Sequence, residues 1–393
     1  VKVGQQVLSW GESTFIPHGI NSTPIDVGVL RSPGADLKEA YIPVGMAVLN
    51  IGLTENLSTE LFYQYEWVNS YLPVPGTYFS TNDFAGEGGY LQNVQLGFAG
   101  NPDIDLDYLL QNLNALGAGV ASGAIPAALA AQAYLAYPTK VTLRPYGSAG
   151  EIEPEDGGQY GIKFEYFSPE LNDTEFALYY MNYHSRVPVI SGVASNFGAA
   201  AIQADLGYLV QNAGNLSAQN VQNLRAFSKG LLEYPEDIKL YGFSFNTNLG
   251  TTSVAGEIAY RQDEPLQIDD VEILYAGMPE QLAIAGIRPD LAGISQIGRY
   301  VGNKVQPGQF AQGYILADTT QAQVTVTHLF GPVLNTDNFT LLAEIGGIKI
   351  KDMPHQDILR LNGPNTDRSG YPLMGTNGVG GPLVIKTGLH TGL

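Results

Sequence analysis

The run GQYGIKFEYFSPELNDTEFALYYMNYHS, Gly158 to Ser185, decides the fold. It reads as roughly ten alternating residues, a polar turn at Pro169–Thr174, and roughly ten more. Tyr160, Ile162, Phe164 and Tyr166 alternate with Gln159, Lys163 and Glu165. A period of two sends the two sets to opposite faces of a sheet, one aromatic and one charged. The return half is less regular, because Tyr179 and Tyr183 interrupt the polar face.

The same unit recurs. Tyr41–Gly52 turns at Glu55–Ser58 into Thr59–Val68, with Leu61, Tyr63, Tyr65 and Trp67 on one face. Glu60, Gln64 and Glu66 take the other, with Phe62 as an exception. A third hairpin is expected from Asp237 to Arg261 and a fourth from Gln321 to Lys351, turning at Leu334–Asn338. Long Gly- and Ala-rich stretches separate the hairpins, at about 69–157, 186–236, 262–320 and 352–393. Helices are expected within them over Asp105–Leu116, after Pro126, and over Ser217–Glu233. Leu116–Tyr137 is long enough to span a bilayer, but Pro126, Gln132 and its Ala/Gly content favour a surface or plug helix.

Short turns at one end and long loops at the other are the pattern of a transmembrane β-barrel. A soluble sandwich alternates too. However, strands near ten residues suit a tilted membrane crossing, whereas soluble strands average five or six. The fold expected is therefore all-β: one transmembrane antiparallel β-barrel domain over 1–393, with long extracellular loops that contain short helices. The sequence begins at Val1 without a signal peptide, so the chain is expected to be a fragment of a longer barrel, with further strands beyond it.

Composition bounds the function. The net charge is −19, which repels phosphate backbones and makes nucleic acid an unsuitable partner. There is no cysteine, hence no thiolate nucleophile or thiolate metal site. No phosphate-cradling loop or nucleophile elbow occurs, so neither a cofactor nor an enzyme activity is expected. Asp103, Asp105 and Asp107 have the spacing of a calcium-loop start but lack the downstream glycine and glutamate; no metal site is expected. His184 lies beside Asn182 and Ser185, yet neighbours in a strand point apart.

The candidate functional residues fall into two groups. Residues 11–40, irregular and rich in Pro and Gly, are expected to fold inward as a plug-like gate; here Trp10, Glu12, Phe15, Asn21 and Arg31 are singled out, with Glu12 as a partner for Arg31. Glu60, Gln64, Glu66, Lys163, Glu165, Glu257, Arg261 and Glu344 are expected to face the lumen, either lining a solute path or forming a charge network that fills it.

VGQQVLSWGESTFIPHGIN, LRSPGADLKEAYIPV, GLTENLSTELFYQYEW and GTYFSTNDF, with YYMNYHSRVP (Tyr179–Pro188) and GEIAYRQDEPLQI (Gly256–Ile268) downstream, resemble the bacterial family called domain of unknown function 1302. The resemblance implies an outer-membrane β-barrel distantly similar to long-chain fatty-acid transporters, and it carries no catalytic residue. The expected function is passive uptake of small hydrophobic molecules (fatty acids, hydrocarbons or lipids) across the bacterial outer membrane. Apolar outer loops, with Leu109, Leu110, Leu113 and Ala128–Tyr137, would capture the solute. Membrane lipid and lipopolysaccharide are the expected partners, and the oligomeric state stays open. A general diffusion porin and a secreted β-rich adhesin are the rival readings.

Overall fold

The computed structural model describes residues 1–362 apart from 15, 17, 33, 35–36, 79–94, 98–105, 137–140, 146, 301, 303 and 334–335. Its strands are β1 (Lys2–Gln6), β2 (Val44–Gly52), β3 (Leu57–Gln64), β4 (Gln95–Gly97), β5 (Val141–Leu143), β6 (Glu151–Ile152), β7 (Gln159–Ser168) and β8 (Thr174–Tyr183). They continue with β9 (Val189–Val193), β10 (Ser228–Glu233), β11 (Ile238–Leu249), β12 (Thr252–Gln267), β13 (Phe310–Ala311), β14 (Tyr314–Gly331) and β15 (Phe339–Ile350). The helices are α1 (Val27–Leu30), α2 (Leu37–Ala40), α3 (Leu106–Ala121), α4 (Ala127–Ala136), α5 (Ala199–Gln211), α6 (Asp270–Gly277), α7 (Pro279–Ile284) and α8 (Ile297–Tyr300).

Nine strands form one antiparallel sheet in the order β1-β2-β3-β7-β8-β11-β12-β14-β15. All four expected hairpins lie in it. The β7–β8 turn is closed by Asn172 and Asp173 in the left-handed region, which Asn and Asp tolerate. Among the described residues β1 and β15 do not pair with each other, so this sheet is open rather than closed.

Alternation holds along the strands and makes the two faces different. Phe164, Leu178, Phe243, Ile258 and Ile345 are 42, 58, 38, 49 and 75% exposed. The opposite face is largely buried, including Gln64, Met181, Leu240, Glu257, Arg261 and Gln323. Phe62, Tyr179 and Tyr183 belong to this buried face. They broke the expected polar pattern because they pack under Trp10 and beside Arg261. A bulge at Asp263, with positive φ, resets the alternation so that Glu264 joins Arg261 on the buried face.

The long connections are not simple loops. They assemble a second, mixed sheet in the order β13-β9-β10-β5-β4, with β6 beside β10. Helices α3, α4 and α5 cover a core of Leu106, Leu109, Leu113, Tyr134, Leu206 and Phe227, among others. This part is called the cap below. Leu109 and Leu113 are buried inside it and present no capture surface, contrary to expectation; Tyr137 lies outside the described residues. The helix expected over Ser217–Glu233 does not form. Residues 221–223 make a single 3-10 turn, and Ser228–Glu233 is β10, held between β9 on one side and β5 and β6 on the other. The connection expected over 262–320 is shorter, since β12 runs to Gln267 and β14 starts at Tyr314. The Leu116–Tyr137 stretch is split between α3 and α4, and no helix among the described residues is long and apolar enough to cross a membrane.

Candidate functional site

An irregular segment, Leu8 to Thr23, lies against the buried face of the large sheet and bridges β3 to β15. Backbone N–H groups that belong to no helix or sheet need acceptors when buried. Here the strands supply them as carboxylates. Glu257 on β12 accepts from the N–H of Glu12 (2.6 Å) and of Ile20 (3.0 Å). Glu344 on β15 accepts from the N–H of Thr14 (2.9 Å) and of Ile16 (2.7 Å), and from the Thr325 hydroxyl (2.8 Å). Charge-assisted bonds of this kind are shorter and roughly twice as strong as neutral ones.

Glycine makes the close approach possible. A Cβ on Gly11 or Gly19 would overlap the Glu257 carboxylate, and Gly11 also has φ +92°. On the sheet side, Gly242 leaves room for Ile20 and Gly346 for Ile16. The segment is therefore seated by apolar side chains in glycine sockets and tied by backbone bonds to acids.

Trp10 anchors one end. It is 4% exposed and donates from Nε1 to Glu60 (2.7 Å). Its ring meets Phe62 edge-on at 5.1 Å and Tyr179 at 5.7 Å. At the other side Arg261 donates to the Gly19 carbonyl and, through Nε, to the Tyr183 hydroxyl (3.0 Å). His18 pairs with Glu264 at 2.6 Å. Glu12 accepts from Asn246 (3.1 Å). Burial raises the Glu12 pKa; the Asn246 bond opposes this and the nearby Glu257 charge adds to it. Lys163 pairs with Glu165 and stands 5.9 Å from the centre of the Tyr179 ring.

Trp10, Glu12, Glu60, Lys163, Glu165, Glu257, Arg261 and Glu344 are thus gathered around one segment. Gln64 and Glu66 stand at the end of the same face: Gln64 accepts from Arg186, and Glu66 from Gln5 (2.6 Å) and the Gly45 N–H (2.7 Å). Asn21 holds the segment's exit through Ser9 (3.2 Å) and Tyr41 (3.1 Å). Arg31 is not brought in. It caps α1 at the surface, and Glu12 bonds to Asn246 instead. The segment on the buried face is accordingly shorter than the 11–40 expected, because α1 and the exposed Lys38 and Glu39 lie away from it. Phe15, Asp103 and Asp105 lie outside the described residues, and Asp107 is exposed in the first turn of α3. Among the described residues no three His, Asp or Glu side chains are placed to hold a metal ion.

Sequence reasoning missed Glu264, His18 and Arg186. Tyr179 and Tyr183 were visible only as breaks in alternation; Tyr179 meets Trp10 of the segment, and Tyr183 meets Arg261, which holds the segment at Gly19. His184 serves structure: Nε2 faces the Gly157 carbonyl (2.8 Å) and Nδ1 accepts from the Asp237 N–H (3.1 Å).

Comparison with known proteins adds one result. A family model described as protein of unknown function (DUF1302) matches residues 1–382. No curated protein matches the chain, and no solved structure does.

Proposed function

The chain belongs to the DUF1302 family of proteins of unknown function, and we propose that it is the main part of an outer-membrane β-barrel through which small hydrophobic molecules pass by diffusion. One observation carries this reading. The outward positions of the central strands are uncharged over a continuous band, as on β11 (Tyr241, Phe243, Phe245, Thr247) and β12 (Val254, Gly256, Ile258, Tyr260). On β14 the band runs from Thr320 to Phe330, about ten residues. At ~3.4 Å per residue and a tilt near 40°, that is roughly 26 Å of height, close to the ~25 Å apolar belt of such barrels. Tyr160, Tyr180, Tyr241 and Tyr260 border the band at the cap end, with successive ring centres 6.3, 5.2 and 6.1 Å apart. Tyrosine suits that level, where one end of the ring is apolar and the other wet.

In lipid, every backbone polar group has to be paired, so the edges of β1 and β15 that are unpaired among the described residues call for further strands that close the sheet. The buried face then becomes a lumen, and the Leu8–Thr23 segment a gate across it. A solute entering from the cap displaces the segment, exchanging its backbone bonds to Glu257 and Glu344 for water and solute contacts, and leaves down its gradient. No nucleotide is consumed. The charge-lined interior favours a general porin as the second reading. Such a porin would conduct ions steadily without saturable solute binding, and a surface adhesin would dissolve without detergent.

The absence of cysteine gives a clean test. Spin labels at Ile258→Cys and Ile345→Cys in reconstituted protein are expected to relax with lipid-soluble oxygen and not with an aqueous nickel chelate. Labels at Ser244→Cys and Thr325→Cys should show neither. Outward labels that respond to the aqueous agent alone would refute the membrane reading.

A further inference from the structure

The outward face of the large sheet carries a groove of about 370 Å³ that plays no part in holding the Leu8–Thr23 segment. Small side chains open it. Ala322 on β14 lies in its floor, and Gly347 stands in register beside Ala322 on β15, where an added Cβ would meet nothing. The walls are Phe243, Ile258, Val324 and Ile345, all exposed, with the Phe245 ring settled against Gly256. Glu257 lies beneath the groove but turns its carboxylate to the opposite face. Strands added beside β15 would lengthen the wall without roofing the groove, because a sheet grows edge to edge and the groove opens across its face.

Towards the cap the same face changes character. Lys349 follows Gly347 at the next outward position of β15, in register with Thr320 and, through β14, with Tyr260. Lys351 comes one step further, and both lysines are exposed. Lys351 pairs with Asp318 at 3.3 Å, and the Tyr260 hydroxyl donates to the same carboxylate (2.9 Å). Asp352 follows Lys351 and also stands beyond the groove. The lysines held in ion pairs among the described residues are Lys163, Lys239 and Lys351; Lys349, the nearest to the groove, is not one of them. Towards the turns the outward residues of β15, Ile345, Ala343 and Leu341, are uncharged. In a chain of net charge −19, exposed cations at one end of an apolar groove are a local exception. Same-face neighbours on a strand stand about 7 Å apart, and a lysine stem lies along apolar surface while its ammonium reaches the wet side. Chain and charge are thereby set as they are in a membrane lipid. We propose that the groove seats one acyl chain of an anionic, phosphate-headed membrane lipid in the leaflet on the cap side, with Lys349 and Lys351 holding the phosphate. Such a lipid is a partner bound outside the sheet and not the solute that passes. This rests on the membrane reading and names a partner and its site.

The test is native mass spectrometry of the full chain in detergent, with dimyristoyl phosphatidylglycerol and dimyristoyl phosphatidylcholine as probes, which share their chains and differ in net charge. Wild-type protein should retain the anionic lipid at least about tenfold better. Lys349→Gln combined with Lys351→Gln should bring the two lipids to within about twofold of each other. Lys239→Gln, on β11 with β12 and β14 between it and β15, should leave the preference intact. Ala322→Leu, which fills the groove, should weaken both lipids alike. Equal retention of the two lipids by wild type, a loss of preference in Lys239→Gln as large as in the paired variant, or wild-type binding by Ala322→Leu would overturn the assignment. Glycerol phosphate, the head without its chains, should not compete; effective competition would reduce the site to one for free phosphate and overturn it too. A dimer that survives removal of lipid and is split by Ala322→Leu would give the groove to a second copy of the chain, with the same consequence. If the paired variant does not fold, the wild-type ratio, Lys349→Gln alone and Ala322→Leu decide. Spin labels at Ile258 and Ile345 that report water remove this proposal together with the membrane reading; labels that report lipid, with equal retention of the two probes, remove this proposal alone.

Discussion

Replacing Glu257 by alanine should loosen the Leu8–Thr23 segment from the sheet and, on the proposed transport reading, ease passage beneath it. The substitution takes away the acceptors of two N–H groups, the partly buried one of Glu12 and the buried one of Ile20, which sit 2.6 and 3.0 Å from the carboxylate. Leaving a buried donor unsatisfied costs about 1–3 kcal/mol, in full for Ile20 and in part for Glu12, so the seated segment loses roughly 1–5 kcal/mol. The remaining ties, from Glu344, Trp10 and Arg261, still hold it in the majority state. A loss near 3 kcal/mol raises the population of the unseated segment about a hundredfold, since each 1.4 kcal/mol is a factor of ten. Two assays read this on the same reconstituted protein. Amide exchange at residues 12–20 should accelerate by that order while exchange in β7 and β8 stays slow, and liposome flux of a small amphiphile should rise. Glu257→Gln, which keeps one carbonyl acceptor, should fall between wild type and alanine in both. Unchanged exchange at residues 12–20 together with unchanged flux would refute the claim that this carboxylate holds the segment. Faster exchange without more flux would keep the latch and refute the gate.

Gly19→Ala places a methyl group into the Glu257 carboxylate and should mimic Glu257→Ala in exchange and flux, whereas Gly207→Ala, where the added carbon meets nothing, should change neither. In the cap, Asp205 accepts from the Tyr134 hydroxyl and from the N–H groups of Arg225 and Ala226, all at 2.9 Å. Burial nevertheless raises its pKa above the usual aspartate value, against those bonds. A carboxyl with a raised folded-state pKa adds stability that is complete below the ordinary value of about 4 and is lost as pH climbs through the raised one. Limited proteolysis of the cap should therefore speed up, for wild type relative to Asp205→Asn, as pH rises through that window; a difference that is flat with pH contradicts it.

Strand periodicity was legible because a two-sided sheet writes it into every second residue. Tyr160, Ile162, Phe164 and Tyr166 gave the exposed face, and the register of β7 against β8 follows from it. The cap sheet was not legible. Its strands are two to six residues long, and β10 pairs in parallel with β5 and β6, distant in sequence. No local pattern encodes such pairing, and Ser217–Glu233 therefore read as a helix until neighbours on both sides drew Ser228–Glu233 into a strand. At the candidate site the residue types were legible and the partners were not. Glu12 read as a mate for Arg31, yet it follows Gly11, whose φ is +92°, and accepts from Asn246 on β11.

The backbone accounting also sorts the charged positions of the buried face. An irregular segment laid against a sheet finds few free carbonyls, because the ladder has already used them. Acceptors must then come from side chains, and a carboxylate offers the most lone pairs for its size. Glu257 and Glu344 answer to that need, and Arg261 follows from Glu257, since acids gathered without a cation would repel one another. These residues are accounted for by holding the segment and require no solute to explain them. Glu60 is half explained, by the Trp10 indole. Lys163 and Glu165 pair with each other beside the Tyr179 ring, with Glu60 across the strand within electrostatic reach of Lys163, and neither holds backbone of the segment among the described residues. If selectivity is tuned by charge, the changes that alter it without loosening the segment are therefore to be sought at Lys163 and Glu165 on β7, and not at the acids that bind backbone.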